Sequence, residues 1–154
     1  MSEQVYTRTS SFGSRAVALA IDFALLASLH CGLIFFSFGW LINKIIDLDF
    51  SAILAIYLFY LAVSFVSFLF LHMVYFTVFH AWSGQTIGKM IMGIRVVTTG
   101  NRLISPSVAF LRWSGYILSL FPLAAGFLWS AVDKDHCAWH DRLAKTMVVT
   151  VEMT

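Results

Sequence analysis

Residues 15–40 read RAVALAIDFALLASLHCGLIFFSFGW. From Ala16 to Trp40 this stretch is nearly all apolar, and about twenty such residues are enough to cross a bilayer as a helix. Two charges interrupt it, Arg15 at its start and Asp22 two turns further on. Because seven residues at about 100° each return to nearly the same direction, Arg15 and Asp22 share one helix face. An ionisable residue at that depth normally faces a partner or a wet cavity, so this face is the first candidate for function.

The composition is that of an integral membrane protein. The 154 residues are 60% hydrophobic and 12% charged, whereas soluble domains carry about 25% charged residues. Such a short chain has room for three or four spans at most, and we expect a single membrane domain over residues 1–154. The apolar run after Arg15 is too long for a signal-peptide core, so we expect it to remain as the first span. Cys31 and Cys137 are expected to be free thiols.

A second apolar stretch, Ala52–Phe79, is long enough to span with some tilt. The loop after it, Ala81–Ser107, carries Lys89, Arg95 and Arg102 and no acidic residue. The positive-inside rule therefore predicts that this loop and the N-terminus are cytoplasmic. We expect a multi-pass protein of a cell membrane, most simply a bacterial inner membrane.

The third apolar segment, Val108–Val132, either spans or is re-entrant, because Pro122 near its middle breaks a helix. Ile94–Thr99 and Thr146–Val151 are rich in β-branched residues and predict strands on either side of this segment. Leu103-Ile104 is a second candidate to pair with the first strand. The predicted fold is an all-α membrane protein with two long transmembrane helices, a Pro-broken third segment and a small cytoplasmic β element.

Two further motifs accompany the Arg15–Asp22 pair. Residues 84–89 read GQTIGK and lead to GIRVV at 93–97, and the tail reads WHDRLAKT at 139–146. In this order, and over nearly the whole chain, the motifs resemble the RDD family of small membrane proteins. That family is named for one arginine and two aspartates, which match Arg15, Asp22 and Asp141. Its closing motif usually has glycine where this chain has Lys145. For function, the resemblance implies only that transport, including Na⁺/H⁺ exchange, has been proposed for some members.

Five charged residues form the candidate site. They are Arg15, Asp22, Arg112, Asp141 and Arg142, which we expect to converge near the cytoplasmic face. One interpretation is a proton or cation site in which Asp22 titrates, since burial raises the pKa of a carboxyl and a nearby arginine lowers it. The other is a buried ionic clamp between the helices and the tail.

A polar path is a second candidate for proton movement. His30, His72 and Tyr75 lie at depth in the two predicted spans, and Asp, His, Ser and Tyr side chains can relay protons. Their alternative role is structural, through hydrogen bonds to the backbone or across to a neighbouring helix.

Other kinds of site are not indicated. Cys137 lies between His136 and His140, but this is not the paired spacing of a zinc site. Residues 84–89 lack the spacing of a phosphate-binding loop; we expect the glycines to allow tight turns and Lys89 to lie near lipid phosphates. We predict no enzyme, no catalytic residues, no metal or other cofactor and no nucleic-acid partner.

Small residues recur every four positions along the first span, at Ala16, Ala20, Ala24, Ser28 and Gly32. Such ridges let helices approach closely in a bilayer. Packing on the second helix is one interpretation and a homo-oligomer is the other. Two functions stay open: transport of a small cation or solute through the charged site, and a non-transporting membrane scaffold. The lipid bilayer is the partner common to both.

Overall fold

The computed structural model describes residues 9–45, 49–121 and 123–151. Its elements follow one another along the chain as α1 (Phe12–Ile45), α2 (Phe50–Ser83), α3 (Ile87–Ile91), β1 (Ile94–Thr98), α4 (Pro106–Leu120), α5 (Ala125–Val132), α6 (Trp139–Leu143) and β2 (Thr146–Thr150).

The two apolar stretches that predict spans form two helices, both longer than predicted. α1 and α2 each have 34 residues and are apolar enough to cross a membrane. A helix of that length rises about 50 Å, whereas the hydrocarbon layer is about 30 Å thick. Arg15, in the first turns of α1, is therefore free to lie at the level of the lipid headgroups.

The third segment is broken, as predicted. The axes of α4 and α5 differ by 97°, and Leu123 and Ala124 between them have left-handed backbone conformations, with φ of 51° and 60°. Pro122 lies outside the described residues. A Cβ on Gly126 would come within 2.6 Å of the Cα of Ser119, so glycine allows α5 to fold back closely against α4.

The predicted strands form one antiparallel pair. Val96 of β1 lies opposite Val148 of β2, and Thr9 forms an isolated bridge to Val149. The prediction that Leu103-Ile104 begins a returning strand is wrong. Ile104 is instead buried in the core with Val96 and Val148. β2 pairs with one edge of β1, and on the other edge Val96 and Thr98 donate to the carbonyls of Gly84 and Arg102.

A helix–turn–strand unit occurs twice. The first unit consists of α3, Gly93 and β1, and the second of α6, Lys145 and β2; both linking residues have left-handed φ values, 62° and 50°. Val96 and Val148 hold equivalent positions in the two units and face each other in the sheet. The units are therefore related by an approximate two-fold axis.

The chain divides into two compact units. The larger contains the described residues of Met1–Asp22 and Met73–Thr154, including both strands and all the short helices. The smaller, Phe23–His72, contains parts of α1 and α2 joined by hydrogen bonds from Tyr60 to Ser37 and to the carbonyl of Ile34. Whether these two units act as a single membrane domain stays a prediction.

The small-residue ridge of α1 is exposed at all five positions. Of the two interpretations, packing on the second helix is contradicted, because the buried positions of α1, such as Ala18 and Leu26, lie on a different face. Cys31 and Cys137 are free, as predicted.

Candidate functional site: two buried carboxylates

Asp141 is the centre of a buried ionic cluster in the larger unit. One carboxylate oxygen, Oδ2, accepts hydrogen bonds from Arg15 and from the backbone N–H of Ala138, the latter at 2.9 Å. The other, Oδ1, lies 2.5 Å from Nη1 of Arg112. Asp141 is fully buried, and the side chains of Arg112 and Arg15 are 1% and 11% exposed. The cluster thus joins α1, α4 and α6.

The local sequence explains how these side chains meet. Asp141 is the third residue of α6, where a carboxylate can accept the N–H of the residue before the helix. A Cβ on Gly115 would lie 2.8 Å from the Cβ of His140, so glycine lets α4 approach α6 closely. Arg112, one turn earlier on α4, then reaches both Asp141 and the hydroxyl of Thr146.

The electrostatics of the cluster fix its protonation. Burial alone would raise the pKa of Asp141, but Arg112 and Arg15 hold it well below its ordinary range. Burial lowers the pKa of His140 far below its usual value, although Asp141 opposes this shift. Near neutral pH Asp141 is therefore ionised and His140 is neutral, with its Nδ1 3.2 Å from the hydroxyl of Ser119.

Asp22 is also fully buried, but its partners are neutral. Its Oδ1 accepts hydrogen bonds from the hydroxyl of Tyr75 at 2.6 Å and from the N–H of Gly88 at 2.8 Å, and its Oδ2 accepts one from the hydroxyl of Thr86 at 2.5 Å. The structure therefore contradicts our expectation of one site formed by Asp22 and Arg15. The two residues share a helix face, but Arg15 reaches Asp141 instead.

The segment GQTIGK supplies two of these three donors. Thr86 precedes α3, and Gly88 lies in its first turn. A Cβ on Gly88 would come within 2.0 Å of the carbonyl oxygen of Ala18, so only glycine lets α3 lie directly on α1. Asp22 therefore holds the start of α3 from a different helix, just as Asp141 holds the start of its own helix, α6.

The model of the RDD family matches residues 9–145 of the chain. The chain belongs to the RDD family. No curated protein and no solved structure matches it. Within this RDD chain, the arginine and the two aspartates that the sequence singled out are all placed in the larger unit, where the arginine pairs with the second aspartate.

Other predicted residues of the RDD chain lie outside the ionic cluster. Arg142 pairs with Asp133 and has a 56% exposed side chain, so its assignment to the network is wrong: on α6 it points away from Asp141. His30 contacts Ser64 through Nε2 at 3.2 Å, and His72 contacts the carbonyl of Phe68 at 2.9 Å. Tyr75 of the proposed polar path contacts a predicted charged residue, Asp22.

The predicted position of Lys89 is also wrong. Instead of facing lipid phosphates it is 5% exposed, with its ammonium 5.9 Å from the centre of the Phe76 ring. The sequence did contain an indication of this burial: Gly88, directly before Lys89, lets α3 pack against α1. In that packing the side chain of Lys89 points inward.

Among the described residues, no three His, Cys, Asp or Glu side chains are placed to hold a metal ion. His136 contacts the carbonyl of Ser130, while His140 contacts Ser119. The two histidines of the tail thus contact different residues.

Proposed function

We propose that this RDD protein is a membrane-embedded scaffold whose buried charges clamp its elements together. The observation that carries the proposal is the occupancy of the two buried carboxylates. Asp141 is shared by two guanidinium groups and a backbone N–H, and Asp22 accepts three hydrogen bonds. Carboxylates that already hold these neighbours have few acceptor sites left for a transported cation.

The clamp also supports a topology for the scaffold. β1 precedes α4 and β2 follows α6, yet the two strands pair. Ser10, just before α1, bonds to Val148, and Gly84, just after α2, bonds to Val96. These contacts favour a hairpin of two spans with both chain ends on one side and α4–α5 as a re-entrant pair. The basic residues of that side favour the cytoplasm of a bacterial cell.

A second copy of the chain is the partner that we propose for the exposed ridge of α1. Ala20, Ala24 and Ser28 are exposed and follow one another every four positions, and small residues at this spacing let two helices pack closely in a bilayer. In a chain with both native cysteines replaced by serine, Ala24→Cys should form a cross-linked dimer in membranes. Phe59→Cys, on the exposed surface of α2, is the matched control. Equal cross-linking of the two variants would refute the ridge as the interface.

Transport of a cation or small solute is the second candidate function. The observation in its favour is the buried ionisable side chains next to the cluster, Lys89 and His140. Asp22→Asn separates the two functions. If Asp22 belongs to a clamp, the Asp22→Asn variant should have a lower unfolding midpoint than the wild type. The scaffold proposal also predicts that the purified wild-type protein shows no saturable flux in vesicles. Flux in the wild-type protein that is lost in a stably folded Asp22→Asn variant would overturn the scaffold proposal.

A further inference from the structure

Lys89 is a buried cation without a carboxylate partner among the described residues. The ion pairs of that part of the chain are Arg15 and Arg112 with Asp141, and Arg142 with Asp133; the neutral ring of His140 also lies near Asp141. Asp22 attracts Lys89 electrostatically, but its oxygens are occupied by three other donors. A buried charge without a partner is costly, so such a site commonly recruits one.

His80 provides an independent sign of a missing partner. The ring is 1% exposed, and neither nitrogen meets hydrogen-bond geometry with a described residue, although the backbone carbonyl of Phe76 lies near the ring. It stacks on one side of Phe76, with ring centroids 5.8 Å apart, and Lys89 also lies against Phe76. Buried polar groups are nearly always hydrogen-bonded, so an exception such as His80 calls for a partner, and an ion is one kind of partner that supplies it.

The charge of Lys89 sets the sign of the ligand. Arg112 and Lys89 are buried cations of the larger unit, and Asp22 and Asp141 are its buried carboxylates. Arg112 pairs with Asp141, whereas Lys89 has no carboxylate within ion-pair distance among the described residues. Nε of Arg112 also lacks a hydrogen-bond partner among the described residues. An anion is therefore the ligand that suits Lys89.

We propose that Lys89 and His80 form a binding site for a single anionic group of the phosphate class. The group is either free inorganic phosphate or the phosphate of an anionic lipid, since both offer the same charge and acceptor oxygens. Lys89 supplies the charge, and a His80 N–H donates a hydrogen bond. The long side chain of Lys89 can swing between Phe76 and an entering anion. This site is independent of the scaffold proposal.

The test measures thermal unfolding of the full chain in maltoside detergent. One arm titrates inorganic phosphate, and the other adds phosphatidylglycerol to the micelles without phosphate in the buffer. The midpoint should rise saturably, by roughly 5–10 °C at 100 times the dissociation constant. Lys89→Met should abolish the rise, and Lys145→Met, at an exposed lysine, should retain it.

The outcomes are distinct. A rise with phosphate alone identifies a free anion, and a rise with phosphatidylglycerol alone identifies a lipid. Lys89→Met should fold well, because replacing a buried charge by an apolar side chain of similar length is often neutral or stabilising. No rise in either arm, or an equal rise in Lys89→Met, would overturn the proposal. Lys89→Arg, which keeps the charge, should retain part of the response.

Discussion

Replacing Asp141 by asparagine tests the clamp most directly. The change keeps the size of the side chain and its contact with Ala138, but it removes the charge that neutralises Arg112 and Arg15. Since Arg112 is 1% exposed, its guanidinium would be left buried without a counter-charge. Loss of one partner from a buried ion pair typically costs about 3–5 kcal/mol. For a chain of this size, that lowers the unfolding midpoint by roughly 6–20 °C.

A double variant separates the loss of the pair from a general disturbance of α6. In Asp141→Asn combined with Arg112→Met, the guanidinium that lacked a counter-charge is also removed. The double variant should therefore be more stable than Asp141→Asn alone, a non-additivity expected for residues in direct contact. Asp133→Asn is the control, because its partner Arg142 is exposed and solvent screens the pair.

The assay is thermal unfolding of the purified protein in detergent, followed by tryptophan fluorescence. The clamp would be refuted if Asp141→Asn unfolded within 2 °C of the wild type, or if the two substitutions simply added.

Three further predictions concern the glycines, the turn after α6 and the pH dependence. Gly88→Ala should lower the free energy of unfolding by several kcal/mol because the added Cβ meets a backbone carbonyl. Gly32→Ala, at a position with open space around it, should be nearly neutral. Equal thermal stability of the two variants would contradict the contact at Gly88. Lys145→Gly should stabilise the protein by about 0.5–1 kcal/mol because φ is 50° there, as a higher unfolding midpoint would show. Because burial lowers the pKa of His140 in the folded state, the unfolded state binds the proton more tightly, so stability should fall as pH drops below the ordinary value of 6.5. His140→Gln should weaken this dependence in urea unfolding at a series of pH values; an unchanged dependence would assign it to another residue.

The membrane-spanning part of the fold could be predicted because its signals are local. Length and apolarity alone define α1 and α2, and runs of β-branched residues define the strands. The pairing partner of β1 was less certain, since a nearby strand at Leu103 and a distant one at Thr146 satisfy the same local pattern. The choice depends on which residues fill the core, and Ile104 fills it as part of a loop.

The partners of the charged residues could not be predicted, because a shared helix face does not fix which distant group lies opposite it. Arg15 and Asp22 lie on one face of α1, yet the first meets α6 and the second meets α3. The decisive signal was the glycine at position 88. Its role as a contact surface for α1 appears only when the two helices are seen together.

The two-fold relation between the helix–turn–strand units explains why the chain needs two buried aspartates. Each unit begins with a short helix whose first N–H groups require an acceptor. At the third position of α6 the chain has Asp141, which accepts the N–H of Ala138 itself. At the equivalent position of α3 it has Lys89, which cannot accept a hydrogen bond. Within this unit the hydroxyl of Thr86 accepts the N–H of Lys89, and Asp22 of α1 accepts the N–H of Gly88. The first aspartate thus adds an acceptor to a short helix that has no acidic residue of its own, and in doing so it ties that unit to the transmembrane helix.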